Sequence, residues 1–433
     1  MKALCYKLFL LIIVLAVSGE STLAQYDWTR HPNNPLMSGS GPGTWDKHVM
    51  FPYVLFNADS NRYEMFYCGS YGPEISWYPY QVGFAWSSDG INWTKHAGNP
   101  VLVPEPGAWD ENSIDLGSVL RENGEYKLWY CNGGNAAVRQ IGYATSVDGI
   151  NWTKYAGNPV LSGGSEAWEA GGIIWCSVVS NSGTYTLYYT GIDITSTFYS
   201  IGRATSPDGI NWQKDTLNNP ILTPGLSGQW DSKSVCGPYC LYTSGTLYLY
   251  FTGWAINYAG NFIGLASSTD NGITWNKYAS NPVINSGPTG SWDADYVEVG
   301  SVMLLQDTLI HLWYDGSRDN TATNLWRIGL ATSTLVVSVE EETDQPSDFT
   351  LEQNYPNPFN PSTKISWQSP VGSQQTLKIY DILGNEVATL VDEYIAAGKY
   401  EIEFSAESLP SGVYFYQLKA GEYINTKKMI LLK

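Results

Sequence analysis

The sequence of 433 residues has a formal net charge of −18 and is rich in Trp (18) and Tyr (31), with only 15% charged residues. So acidic a chain repels nucleic acid and anionic membrane surfaces, which argues against either as a partner. Aromatic- and Gly-rich composition points to β structure, and the length suits two or three domains with a sizeable core.

Lys2 and Lys7 flank a basic start, followed by the apolar run "LFLLIIVLAV" (8–17) and the small residues of "STLA" (21–24). The run is too short to cross a bilayer, so residues 1–24 are expected to be a signal peptide cleaved after Ala24. Removing it takes Cys5 and leaves five cysteines. These are read mainly as small buried residues, with structural disulfides as the alternative. The four histidines lack metal-ligand spacing. No metal or cofactor is implied, although a structural ion near the centre of the fold stays open.

Residues 25–335 repeat themselves. "SSDGINW" (87–93), "SVDGINW" (146–152), "SPDGINW" (206–212) and "STDNGITW" (268–275) end on Trp93, Trp152, Trp212 and Trp275, at intervals of 59, 60 and 63 residues. A Trp followed by an acid occurs five times, at 45–46, 109–110, 168–169, 230–231 and 292–293. Each unit reads as four short antiparallel strands, the fourth beginning at the repeated Trp. The fifth unit stops at "IGLATSTL" (328–335), and its missing strand matches "WTRHPNNPL" (28–36). The expectation is an all-β, five-bladed β-propeller closed by the N-terminal strand, which leaves no open edge between first and last repeats. An acidic linker (336–348) then leads to alternating strands over 349–433, expected to form a small Ig-like β-sandwich.

A turn and Trp needed in every unit serve architecture rather than one reaction centre: Asp bonds its own turn and Gly supplies positive φ. Ligands are expected on the opposite rim, where the second-to-third strand connections are long and irregular. There the repeats act as controls for one another. Aligned on "PYV", "GSV", "CSV", "PYC" and "GSV", the position two before the triplet reads Met50, Asp115, Ile174, Cys236 and Glu298. Carboxylates in a slot elsewhere apolar are costly and raised in pKa unless paired, which makes Asp115 and Glu298 the catalytic candidates. Pairing of each with a nearby Lys or Arg is the competing reading. His48 and Asp295 fall just upstream in the same alignment and are candidates to hold substrate, His48 equally as a polar filler. Asp193, Asp315 and Arg318 start rim loops and are candidates to line a cleft. Trp77, Trp254 and Trp326 are candidates to stack on sugar rings, or ordinary loop packing. The acids that follow Trp in every unit read as structural.

The pattern "IGxATSxDGINW…NPVL…WD" over about residues 26–335 resembles the five-bladed propeller glycoside hydrolases: arabinanases and β-xylosidases, invertases and levansucrases, and mannoside phosphorylases. That resemblance implies an Asp base or nucleophile and a Glu acid on first strands near the centre, often with a third Asp tuning the acid. The usual first-blade acid before a Pro is absent, since Met50 and Phe51 precede Pro52; Asp115 and Glu298 stand as substitutes. "NYPNPFNPSTKI", "IYDILGNEV", "LPSGVYFYQL" and "KKMILLK" resemble the C-terminal sorting domain of the type IX secretion system. This implies outer-membrane secretion machinery as a partner, export to the surface or medium of a Bacteroidetes-like bacterium, and removal of the tail. The resulting expectation is a secreted monomeric glycoside hydrolase acting on poly- or oligosaccharide, with Glu298 as general acid and Asp115 as base or nucleophile. The alternative is a non-catalytic surface propeller that binds glycan. A sialidase is disfavoured, for want of a sixth blade and an arginine cluster.

Overall fold

In the computed structural model the chain divides into two compact units, Met1–Val336 and Val337–Lys433. The structure describes residues 27–71, 79–133, 136, 138–181, 183–243, 245–255, 260–305, 309–318, 325–334 and 348–433. The expected signal peptide, Trp77 and nearly all of the acidic linker lie outside the described residues.

Among the described residues every regular element is a strand. After β1 (Thr29–Arg30), the first antiparallel group is β2 (His48–Asn57), β3 (Arg62–Ser70), β4 (Gln81–Ser87) and β5 (Thr94–Lys95). The second is β6 (Asp115–Glu122), β7 (Glu125–Cys131), β8 (Gln140–Ser146) and β9 (Thr153–Lys154), with β10 (Leu161–Ser162) also on β8. The third is β11 (Gly172–Asn181), β12 (Thr184–Ile192), β13 (Tyr199–Ser206) and β14 (Gln213–Lys214). The fourth is β15 (Ser234–Thr243), β16 (Thr246–Trp254), β17 (Asn261–Ser268) and β18 (Asn276–Lys277). The fifth is β19 (Tyr296–Leu305), β20 (Leu309–Ser317) and β21 (Arg327–Thr334), and its outer strand is β1, paired Thr29↔Thr332 and Arg30↔Ala331.

The outer strand is shorter than the sequence suggests. It pairs for two residues, breaks at an Asn-Pro, and returns to the third strand, as in Val82↔Leu102. Proline has no N–H to give, and the preceding Asn side chain substitutes for the ladder. Asn99 accepts from the Phe84 amide at 2.8 Å and donates to the Phe84 carbonyl at 2.9 Å. Asn158, Asn219, Asn281 and Asn34 do the same to Tyr143, Arg203, Leu265 and Leu330.

The repeated Asp-Gly turns are self-contained. Asp148 Oδ1 accepts the amides of Ile150 and Asn151 at 2.9 and 2.8 Å; burial pushes its carboxyl up, but these bonds and those of the Asn151 and Ser146 side chains together hold it far below the ordinary carboxylate range. At Gly209 the backbone is left-handed (φ 78°), and an added Cβ would stand 2.8 Å from Trp129 of the preceding group. The repeated tryptophans reach the neighbouring group of strands. Trp152 meets Phe66 at 5.7 Å, Trp212 meets Trp129 at 6.3 Å, Trp275 meets Tyr188 at 5.7 Å and Trp28 meets Tyr250 at 6.0 Å. Trp93, in the first group, meets Trp313 of the fifth at 6.5 Å, so the series of contacts returns to its start.

The acids that follow each Trp are buried and ion-paired: Asp46 with Lys95, Asp110 with Lys154, Glu169 with Lys214, Asp231 with Lys277 and Asp293 with Arg30, at 2.5–2.7 Å. All five cysteines after Cys5 are free and buried.

The second unit holds β22 (Thr350–Leu351), β23 (Ser362–Ser369), β24 (Ser373–Tyr380), β25 (Glu386–Ile395), β26 (Gly398–Ser405), β27 (Gly412–Ala420) and β28 (Tyr423–Leu431). Sheets β22-β23-β26 and β25-β24-β27-β28 share one core containing Trp367, Leu377, Tyr416 and Met429.

Candidate active site

The first strands of the five groups lie against one another in the order β2, β6, β11, β15, β19, and β19 returns to β2. Each carries a bulge near its start. Beyond the bulge, serines tie neighbouring strands. Ser118 Oγ accepts from the Val178 amide at 3.0 Å, Ser177 from Cys240 at 3.1 Å and Ser301 from Val54 at 2.9 Å. In the other two groups the same slot holds Tyr53 and Tyr239, whose rings meet at 5.4 Å across the centre.

At the bulges a cavity opens that is lined from all five strands, including Phe51, Leu116, Trp175, Tyr239 and Glu298. Among the described residues, Glu298 is the one charged side chain on its wall. Asn261 Nδ2 donates to Glu298 Oε1 at 2.5 Å. Burial pushes the Glu298 carboxyl up to about 7, which the Asn261 bond only partly opposes. Directly across the ladder from it stands Asp315. That carboxyl is fully buried, accepts the Phe51 amide at 3.0 Å, and leaves Oδ2 without a hydrogen bond. Burial and then the Glu298 charge raise it well above the usual range. Two carboxyls at facing ladder positions disfavour each other's ionisation.

Asp115, at the start of β6, is buried and is not on the cavity wall, although Leu116 and Gly117 next to it are. Ser113 Oγ donates to its Oδ1 at 3.0 Å, and a Cβ on Gly133 would collide with it. Burial raises its carboxyl to about 7; the Ser113 bond and the Arg139 charge oppose this. Cys68 Sγ accepts the Leu116 amide at 3.1 Å, and burial, then the charges of Asp115 and Asp315, push its thiol well up. Among the described residues Asp115, Glu298 and Asp315 form no ion pair.

Other sequence candidates are placed differently. His48 is buried, its imidazole lowered to about 4 by burial and then by Lys47, and its Nδ1 accepts the Trp326 amide at 3.4 Å. Trp326 is itself buried, 5.9 Å from Tyr296. Trp254 is half-buried between Tyr199, at 5.4 Å, and the Lys233 ammonium, at 5.8 Å. Asp295 is half-buried at the start of β19 and is not on the cavity wall. Asp193 is engaged in its own loop, where it accepts the Thr197 and Phe198 amides at 2.7 and 2.8 Å. Arg318 lies in a separate depression with Arg327.

Two wall residues escaped the sequence reading. Phe51 and Trp175 have left-handed backbones, φ 52° and 41°, and their rings meet at 5.8 Å. Bulky residues are outliers there, at roughly 1–3 kcal/mol each, and such strain clusters at ligand sites. The repeat alignment held a faint trace of them: the column before the triplet reads Phe51, Leu116, Trp175, Gly237 and Val299.

Residues 353–432 match the family model of the secretion system C-terminal sorting domain. That domain directs export, so the protein is secreted or held at the cell surface. A curated relative, the A type blood N-acetyl-alpha-D-galactosamine deacetylase of Flavonifractor plautii, is 23% identical over 336 residues, covering 60% of this chain and 41% of the relative. The chain thus spans about two fifths of that relative's length. Among solved structures, a thermostable family-43 glycoside hydrolase superposes with a TM-score of 0.51 at 18% identity, covering 69% of this chain and 91% of that one. A structure of the mannoside phosphorylase family 130, described as containing hydrolases of β-1,2 mannosidic linkages, superposes with a TM-score of 0.53 at 18% identity, covering 71% and 94%. At these identities the likeness is one of fold, that of the propeller glycoside hydrolases.

Proposed function

We propose that the first unit is a five-bladed propeller closed by its own N-terminal strand, and that it hydrolyses glycosidic bonds in a poly- or oligosaccharide. The second unit, read as an Ig-like sandwich, serves its export. The observation that carries the catalytic reading is Glu298: a lone charged side chain on an otherwise uncharged wall, with a carboxyl pushed up to about 7. Such a group keeps its proton in about half of the molecules at neutrality and fits the task of general acid. It would give its proton to the glycosidic oxygen as the C–O bond breaks. Water then adds hydroxide at the anomeric carbon, and its remaining proton returns to a base. Asp315, across the ladder, suits the role of tuning that acid, because its charge and that of Glu298 exclude each other. Asp115 is the candidate base or nucleophile. Phe51 and Trp175 offer apolar faces for sugar C–H groups.

The test is a panel of nitrophenyl glycosides and plant polysaccharides, scored for reducing ends and for free acetate. New reducing ends support hydrolysis. Acetate without reducing ends would replace it with deacylation, the reaction in the curated relative's name. Binding with neither product would leave the non-catalytic glycan binder.

A further inference from the structure

Fourteen Lys and Arg side chains lie among the described residues of the first unit, and nine hold a carboxylate in a direct ion pair. Arg139, Lys233, Arg318 and Arg327 hold none among the described residues. All four share one rim. Lys233 precedes β15, Arg139 precedes β8, Arg318 follows β20 and Arg327 opens β21. Antiparallel pairing, such as Gly316↔Arg327 and Tyr296↔Ser317, sets first-strand starts, second-strand ends and third-strand starts side by side. Glu298, third in β19, stands at that same rim.

Arg318 and Arg327 line one depression together with Ser291 and Trp292. The Arg327 Nε–H is buried and has no acceptor among the described residues. A buried donor left unmet is unfavourable, and neither guanidinium holds a carboxylate among the described residues. An oxoanion would answer both: it accepts in-plane from one fork and neutralises the second. Arg139 reaches the Tyr199 hydroxyl, and Lys233 lies over Trp254. Two further cations thus stand on this rim beyond the depression, beside the carboxyls of Asp115, Asp295 and Asp315, while Asp193 is engaged by its own loop.

We propose that the Arg318–Arg327 depression binds the anionic substituent, carboxylate or sulfate, of an acidic sugar unit in the glycan presented to Glu298. This rests on the glycan reading above and adds the class of substrate. The experiment is calorimetric titration of the full-length Glu298→Gln protein, in which turnover is removed. The probes are oligogalacturonate, its methyl-esterified counterpart, a sulfated galactan oligosaccharide and a neutral galactan oligosaccharide. An acidic oligosaccharide should bind more tightly than its neutral counterpart and lose affinity as NaCl is added. Adding Arg318→Gln and Arg327→Gln should weaken acidic ligands by roughly tenfold to a hundredfold and leave neutral ones unchanged. Adding Arg318→Lys and Arg327→Lys instead keeps the charge without the fork and should recover part of the loss, which separates anion recognition from damage to the fold. Preference for the galacturonate or for the sulfated probe identifies the anion. Equal binding of acidic and neutral probes, or indifference to both arginine pairs, overturns the proposal and leaves the glycan reading standing. Failure of every oligosaccharide to bind removes both.

Discussion

Asp115 shows most plainly how one residue can serve a site at the expense of the fold. Its carboxyl is raised by burial from 3.8 to about 7, so the folded protein prefers it neutral. Below the unfolded value the site makes no demand on stability. As pH rises from about 4 towards 7 the unfolded chain releases the proton first, and stability falls; above that the loss is complete, at roughly 4 kcal/mol. Asp115→Asn keeps an acceptor for Ser113 and cannot ionise. It is expected to unfold at higher urea concentration than the wild type near pH 8 and at the same concentration near pH 4. An equal difference at both values would show that the carboxyl is compensated by some other charge. Asp115 and Glu298 stood out in the sequence because four other copies of the slot were available for comparison. Asp315 was visible only as a rim-loop acid, since its tie to Glu298 comes from strand register. Phe51 and Trp175 were missed because a left-handed backbone is a property of the bulge and not of the residue type.

At the scale of the element, each repeat is held by the same few devices: the Asp-Gly turn, the Asn that replaces the ladder at Asn-Pro, and the buried acid after Trp. The last can be tested in the first repeat. Burial pushes the Asp46 carboxyl up, but its bonds to Lys95 and Ser40 hold it below the usual range. Lys95→Met leaves that buried charge alone and is expected to destabilise by roughly 3 kcal/mol, whereas Lys95→Met with Asp46→Asn should recover most of the loss. Additive losses in the double variant would contradict the pairing. These devices were legible because every repeat needs them, so they recur at fixed spacing. The form of the outer strand was not: "WTKHAGNPVL" alternates well enough to read as one strand, and only the missing proline N–H explains why it breaks into two short contacts.

At the scale of the molecule, the site belongs to no single repeat. On the cavity wall Glu298 comes from the fifth group, Phe51 from the first, Leu116 from the second, Trp175 from the third and Tyr239 from the fourth, and the first strands that carry them contact one another in turn. The repeated strand groups and the N-terminal strand that pairs with β21 were readable from periodicity, because like units repeat the same signals. The substrate was not, since it depends on side chains that break the period. The account therefore turns on whether this gathered cavity performs chemistry at Glu298. The direct measurement compares wild type with Glu298→Gln for both turnover and binding of a glycan from the panel. The account predicts product from the wild type, a fall of at least roughly a hundredfold in kcat for the variant, and glycan affinity within a few-fold of wild type. Turnover by the variant at the wild-type rate, or glycan binding by the wild type with no product at all, would contradict it.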